Sequence, residues 1–134
     1  MELRAEGPTL PEAFSRIALA LFAAAVDPSS VAEVEAREVR AHGAGLSALL
    51  RQWLDECLYV HEVEGFACRS IEFAVFDTAP TAGAEPLRLH AFLRGEPADP
   101  ARHEIRVAIR GIAQAGLGVQ AQTDGFRVQA TLEV

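Results

Sequence analysis

The segment Gly95-Glu96-Pro97-Ala98-Asp99-Pro100-Ala101-Arg102-His103-Glu104 gathers side chains suited to chemistry. It combines the carboxylates of Glu96 and Asp99 with two prolines, Arg102 and His103. A polar connector between strands would look similar, since loops favour such residues. Its length and its fixed-φ prolines nevertheless suit a preformed recognition loop. A hydrolase built on His103 with Asp99 or Glu96 is the weakest reading, because no nucleophile or oxyanion feature accompanies them. A second candidate lies at the C-terminus. There Leu132-Glu133-Val134 sets a side-chain carboxylate beside the α-carboxylate of Val134, two hard oxygen groups suited to Ca²⁺ or Mg²⁺. The alternative is an ordinary frayed end. A third candidate is the pair Cys57 and His61, four residues apart and able to share a helical face as nucleophile and base. Cys57 also belongs to an apolar stripe, where cysteine acts as a small hydrophobe. His61 falls at a helix C-terminus, which favours positive charge without any catalytic need. The structural reading of both outweighs the catalytic one. His42, His61, His90 and His103 show no H-x-H or H-x-x-x-H spacing, and Gly111, Gly116 and Gly118 precede no helix that could aim amides at a phosphate.

The surrounding pattern predicts the elements that position these groups. Glu2 to Gly7 alternates with period two and reads as a strand. Thr9-Leu10-Pro11-Glu12 is a capping box, with Thr9 accepting from the amide of Glu12 and Glu12 reaching back to that of Thr9. Phe14, Ile17, Ala18, Leu21, Phe22 and Ala25 then recur at helical spacing, which predicts a helix over 10–26. A strand over 34–41 and a loop over 42–45 follow. Leu46, Leu49, Leu50, Trp53, Leu54, Cys57 and Leu58 define a second helix that should end near 59–61. From Phe66 onward the signals are β. Ile71, Phe73 and Val75 share one face, residues 78–86 form a turn, and strands follow over 87–94, 105–110, 117–121 and 126–134. Asp124-Gly125 marks the hairpin between the last two. The expected fold is one α+β domain over residues 1–134. It has a mostly antiparallel, mixed sheet of six to seven strands, two amphipathic helices packed on it, and the order β-α-β-α-β-β-β-β-β. Crossovers after the helices would supply one or two parallel pairings.

The 134 residues are half hydrophobic and 23% charged, enough apolar material for one core. Twelve Lys+Arg against nineteen Asp+Glu leave a formal charge of −7, which argues against direct nucleic-acid binding. Two cysteines make no disulfide scaffold and fit a reducing compartment. The longest apolar run, Ile17 to Val26, is about half of a membrane span. A soluble, cytoplasmic protein is the expectation. The first strand, starting at residue 1, offers an edge through which a homodimer could form.

The chain resembles the archease family. The resemblance rests on Arg4-Ala5-Glu6-Gly7-x-Thr9-Leu10-x-Glu12-Ala13-Phe14 and Ala18-Leu19-Ala20-Leu21-Phe22. It continues through Leu49-Leu50-x-x-Trp53-Leu54-x-Glu56-x-Leu58-Tyr59, Glu64-Gly65 and the Gly95–Glu104 segment. It implies an α+β fold and an accessory role: promoting guanylylation and multiple turnover of a GTP-dependent tRNA-splicing RNA ligase, with a divalent metal, usually Ca²⁺. By the same resemblance Glu96, Asp99, Arg102 and His103 are expected to face the ligase, and Glu133 and Val134 to hold the metal. Three departures qualify the pattern. The family's His-Thr-Ala-Asp motif precedes the strand that begins here at Met1, so the reading expects a start placed too late or a lost half-site. The terminal aspartate is replaced by Glu133. Arg110-Gly111-Ile112-Ala113-Gln114-Ala115 stands where a Lys-Ala-x-Thr-Tyr/Trp-His segment is usual. The alternative is a chaperone-like or protein-binding module of this fold with a decayed metal site.

Overall fold

The structure is a computed structural model that describes residues 1–78 and 86–134. Most of the turn expected over 78–86 therefore lies outside the described residues. The elements run β1 (Glu2–Gly7), α1 (Leu10–Ala25), a 3₁₀ turn (Pro28–Ser30), β2 (Glu35–Gly43) and α2 (Leu46–Glu62). They continue with β3 (Phe66–Asp77), β4 (Leu87–Pro97), β5 (Gly111–Ile112), β6 (Gly118–Gln122) and β7 (Gly125–Glu133). The expected order holds. The strands form two sheets: β1, β5 and β6 pair with β7, and β2-β4-β3 is a separate three-stranded sheet. Every pairing among the described residues is antiparallel, so the expected parallel crossovers are not found there.

Thr9 caps α1 by accepting from the amide of Glu12 at 3.3 Å, as the capping box predicts. The Glu12 carboxylate lies 3.6 Å from Arg16, an exposed pair of little energetic weight. The apolar face of α1 (Phe14, Ile17, Leu21) and that of α2 (Leu50, Trp53, Leu54) are buried in one core. Each such side chain contributes roughly 1.5–3 kcal/mol through removal from water. The two helices are tied directly: the indole N–H of Trp53 donates to the carbonyl of Phe14 at 3.0 Å.

The expectations for two strands are corrected. The alternation of Ile71, Phe73 and Val75 breaks at a bulge between Phe73 and Val75. The extra residue turns Val75 outward, 38% exposed, and brings Phe76 into contact with Phe73 and Phe14. The strand expected over 105–110 does not join either sheet. Its backbone instead closes the end of α1, whose last carbonyls have no helical partner. Arg106 N–H donates to Ala25 O at 2.8 Å and Val107 N–H to Ala24 O at 3.2 Å, while Glu104 O accepts from Asp27 N–H. The Arg106 guanidinium donates to Ala23 O, bringing positive charge to a helix end that has no basic residue in its last turn.

The final hairpin forms one residue earlier than Asp-Gly suggests. Thr123 and Asp124 make the turn, and Gly125 pairs with Gln122. Gly125 has φ +148°, and a Cβ there would lie 2.2 Å from the carbonyl oxygen of Gly7. Glycine lets the hairpin press against the β1–α1 junction. Gly125→Ala is expected to destabilise the fold by about 2 kcal/mol, combining backbone strain with the backbone clash. Urea unfolding checks this, and an unchanged midpoint would refute the close approach.

Candidate functional site

The Gly95–Glu104 segment is not one polar loop. β4 runs on to Pro97, so Glu96 is borne by a strand, and its side chain is only 5% exposed. Gly95 allows that path: a Cβ on it would fall 1.9 Å from the Ala67 carbonyl oxygen of β3. The loop proper turns at Asp99. Its carbonyl accepts from Arg102 N–H and His103 N–H, and its carboxylate accepts from Ala101 N–H at 2.9 Å.

Glu96 gathers the loop around itself. One oxygen accepts from Arg102 Nη1 at 2.7 Å, and the other from Arg102 Nη2 at 3.1 Å in a bidentate fork. The second oxygen also accepts from the amide of Ala32 and lies 3.3 Å from His103 Nε2. His103 is buried, and its Nδ1 accepts the Asp99 amide at 2.8 Å. An accepting Nδ1 carries no proton, so these partners assign the ring proton to Nε2, which donates to Glu96. The carboxyl of Glu96 is held down to about 2. The Ala32 amide contributes most and Arg102 next, with burial opposing and His103 adding a smaller pull. Arg102 in turn is pushed up by Glu96.

Of the four residues expected to face a partner, the structure divides the roles. Glu96 and His103 are buried and fully engaged within the chain. The Arg102 side chain is 56% exposed, and Asp99 is partly exposed. Ala32 completes the lock but was invisible to sequence reasoning, because an amide leaves no residue signature.

Glu133 and Val134 end β7 at the surface, both exposed. The backbone there is well tied. Arg110 N–H donates to Glu133 O at 2.7 Å, Leu132 N–H to Met1 O at 2.6 Å, and the Met1 ammonium to Leu132 O at 3.0 Å. Among the described residues no cluster of three or more His, Cys, Asp or Glu could hold a metal ion. Ca²⁺ takes six to eight oxygens. Glu133 and the terminal carboxylate supply part of such a shell, so these residues do not by themselves fit a resident ion.

Cys57 and His61 are not a catalytic pair. Burial pushes the Cys57 thiol well up and Cys68 to about 12, so both stay protonated at neutral pH. His61 Nδ1 lies 3.1 Å from Phe66 O, and its ring meets Phe22 edge-on.

The profile of the Archease protein family matches residues 1–134. Protein archease of Pyrococcus abyssi is 32% identical over 123 residues, 92% of this chain and 83% of that protein. The chain belongs to the archease family. Protein archease of Methanosarcina acetivorans is 30% identical over 130 residues, covering 97% of this chain and 86% of its own. The archease fold is matched among solved structures as well. Protein 1598 of Methanobacterium thermoautotrophicum, solved in solution, superposes with TM-score 0.76 at 22% identity, covering 99% of this chain and 89% of its own. A Thermotoga maritima crystal structure titled as an archease and possible chaperone gives TM-score 0.62 at 10% identity, covering 100% of this chain and 90% of its own. No helix among the described residues is long and apolar enough to cross a membrane.

Proposed function

We propose that this archease acts as an accessory protein: it docks on a GTP-dependent tRNA-splicing RNA ligase and favours guanylylation over repeated turnovers, performing no catalysis of its own. The reading is carried by the Glu96 lock. Four donors saturate one buried carboxylate and hold the 98–104 loop in shape without help from any ligand, leaving Arg102, Asp99 and the exposed Pro100-Ala101 tip at the surface. Such a surface binds with little ordering cost. The formal charge of −7 supports docking beside a basic RNA-binding partner, since opposed fields speed encounter. Calcium enters this reading only as an ion shared with the ligase, to which Glu133 and the Val134 carboxylate would offer oxygens.

The test is multiple-turnover guanylylation of the cognate ligase with and without this protein. Stimulation is expected, and an unchanged rate would remove the proposal. Ala101→Glu alters the exposed tip without touching the lock and is expected to weaken stimulation about tenfold, the scale of a misplaced interface charge. Glu133→Ala should remove whatever share of the stimulation depends on added Ca²⁺. The second reading, a chaperone-like module of the same fold, is favoured by the C-terminal carboxylates, which among the described residues join no cluster of three or more His, Cys, Asp or Glu. It predicts ligase binding with no change in guanylylation.

A further inference from the structure

β2 is the end strand of the β2-β4-β3 sheet, and among the described residues nothing pairs with its outer edge. The amide of His42 turns to that side, where the side-chain oxygen of Gln52 accepts it. Alternation along an antiparallel strand then places the N–H and C=O groups of Ala36, Glu38 and Arg40 on the same open edge. The side chains of Ala36, Glu38, Arg40 and His42 are all exposed on one face, while Val39 and Ala41 point into the core. Arg40 Nη2 donates to Glu38 Oε1 at 3.0 Å within the strand, and the Glu38 carboxylate lies 2.6 Å from His90 Nε2.

We infer that this edge pairs with the same edge of a second copy of the chain, joining two three-stranded sheets into one of six strands. A two-fold axis normal to the sheet keeps like faces together and sets antiparallel strands side by side. Centred on Val39, the midpoint of the nine-residue strand, it overlaps Glu35–Gly43 along its full length. It places Glu38 opposite Arg40 of the second copy, and Arg40 opposite its Glu38. Ala36 then faces His42, whose amide leaves the Gln52 oxygen for the Ala36 carbonyl of the second copy, and Val39 faces Val39. The backbone groups of Glu38 and Arg40 meet in hydrogen-bonded pairs. Centring the axis on Arg37, Glu38 or Arg40 would set like charges directly opposite, which is destabilising. Charged residues on an edge strand ordinarily discourage indiscriminate pairing. Here the same charges are self-complementary in the full-length register, so they exclude other strands while admitting a copy of this one. The other open edge, β1, spans six residues against nine in β2, and Arg16 takes its Glu6 carbonyl as Gln52 takes the His42 amide of β2.

Sedimentation equilibrium of the full chain from micromolar to millimolar concentration provides the test. The wild type is expected to dimerise weakly, more weakly in high salt. Glu38→Arg and Arg40→Glu each replace two attractive cross-pairs by two repulsive ones and should loosen the dimer about tenfold or more. A one-to-one mixture of the two variants should dimerise again, because each now complements the other. The double swap, Glu38→Arg with Arg40→Glu, should also restore the homodimer, and it keeps the test open if one single variant folds poorly. A wild type that stays monomeric throughout would overturn the inference. So would reversals that leave the dimer intact, or a mixture and double swap that both remain monomeric.

Discussion

Trp53→Ala is expected to cost about 4 kcal/mol of unfolding free energy, the upper range for truncating a buried large side chain. Trp53 is fully buried at the point where three elements meet. Its ring lies 5.2 Å from Phe73, which lies 5.2 Å from Phe76, itself 5.1 Å from Phe14. The circuit closes through the indole hydrogen bond to the Phe14 carbonyl, linking α2 to β3 and α1. Alanine would empty the largest volume in this cluster and remove the tie between the helices. A domain of this size typically has a total stability of only 5–15 kcal/mol, so the variant should be substantially unfolded in mild urea. Trp53→Phe keeps a ring and loses the hydrogen bond, for an expected loss of about 1–2 kcal/mol. Equal midpoints for the alanine variant and the wild type would show that the circuit does not hold the helices together.

Glu96→Gln carries the second large effect. The neutral amide cannot accept from four donors as the carboxylate does, and it leaves Arg102 without its bidentate partner. Removing the carboxylate from a hydrogen-bonded ion pair whose Arg102 side is 56% exposed, together with its bond to the Ala32 amide, should lower the thermal midpoint by roughly 5 °C. The variant should also change how stability depends on pH. The folded-state pKa of Glu96 is about 2, below its ordinary value of 4.5, so the folded state favours the charged form. Its contribution is fully present above pH 4.5 and is lost as pH falls from there through about 2. Thermal unfolding from pH 6 down to pH 2 should show a steeper loss for the wild type than for Glu96→Gln, the two curves converging in acid. Parallel curves would mean that the carboxylate is not the group that binds the loop.

Helical elements were the most readable from sequence. Thr9 and the three- and four-residue spacing from Phe14 to Ala25 located α1 to within a residue, because a capping side chain and a one-sided stripe are both local signals. α2 likewise followed from Leu49, Trp53 and Cys57. The alternation in β3 failed at Val75, since a bulge inserts a residue without leaving any mark in hydrophobicity. Ile105, Val107 and Ile109 alternate as a strand would. The amides of Arg106 and Val107, however, go to the open carbonyls of a helix more than seventy residues earlier, and alternation cannot tell one acceptor from another. The candidate site was half legible. The residue types of Glu96, Asp99, Arg102 and His103 were plain, but their division into a buried lock and an exposed tip depends on β4 continuing through Glu96. That continuation is permitted by the contact of Gly95 with Ala67.

The central claim is that the locked 98–104 loop and the end of β7 form the surface this archease offers to its ligase. Hydrogen exchange of the chain, alone and mixed with its cognate ligase, addresses it most directly. Added protection of the amides of Ala101 and Arg102, and of those at Glu133 and Val134, is the predicted result. Protection confined to β2, or none anywhere in the chain, would contradict it.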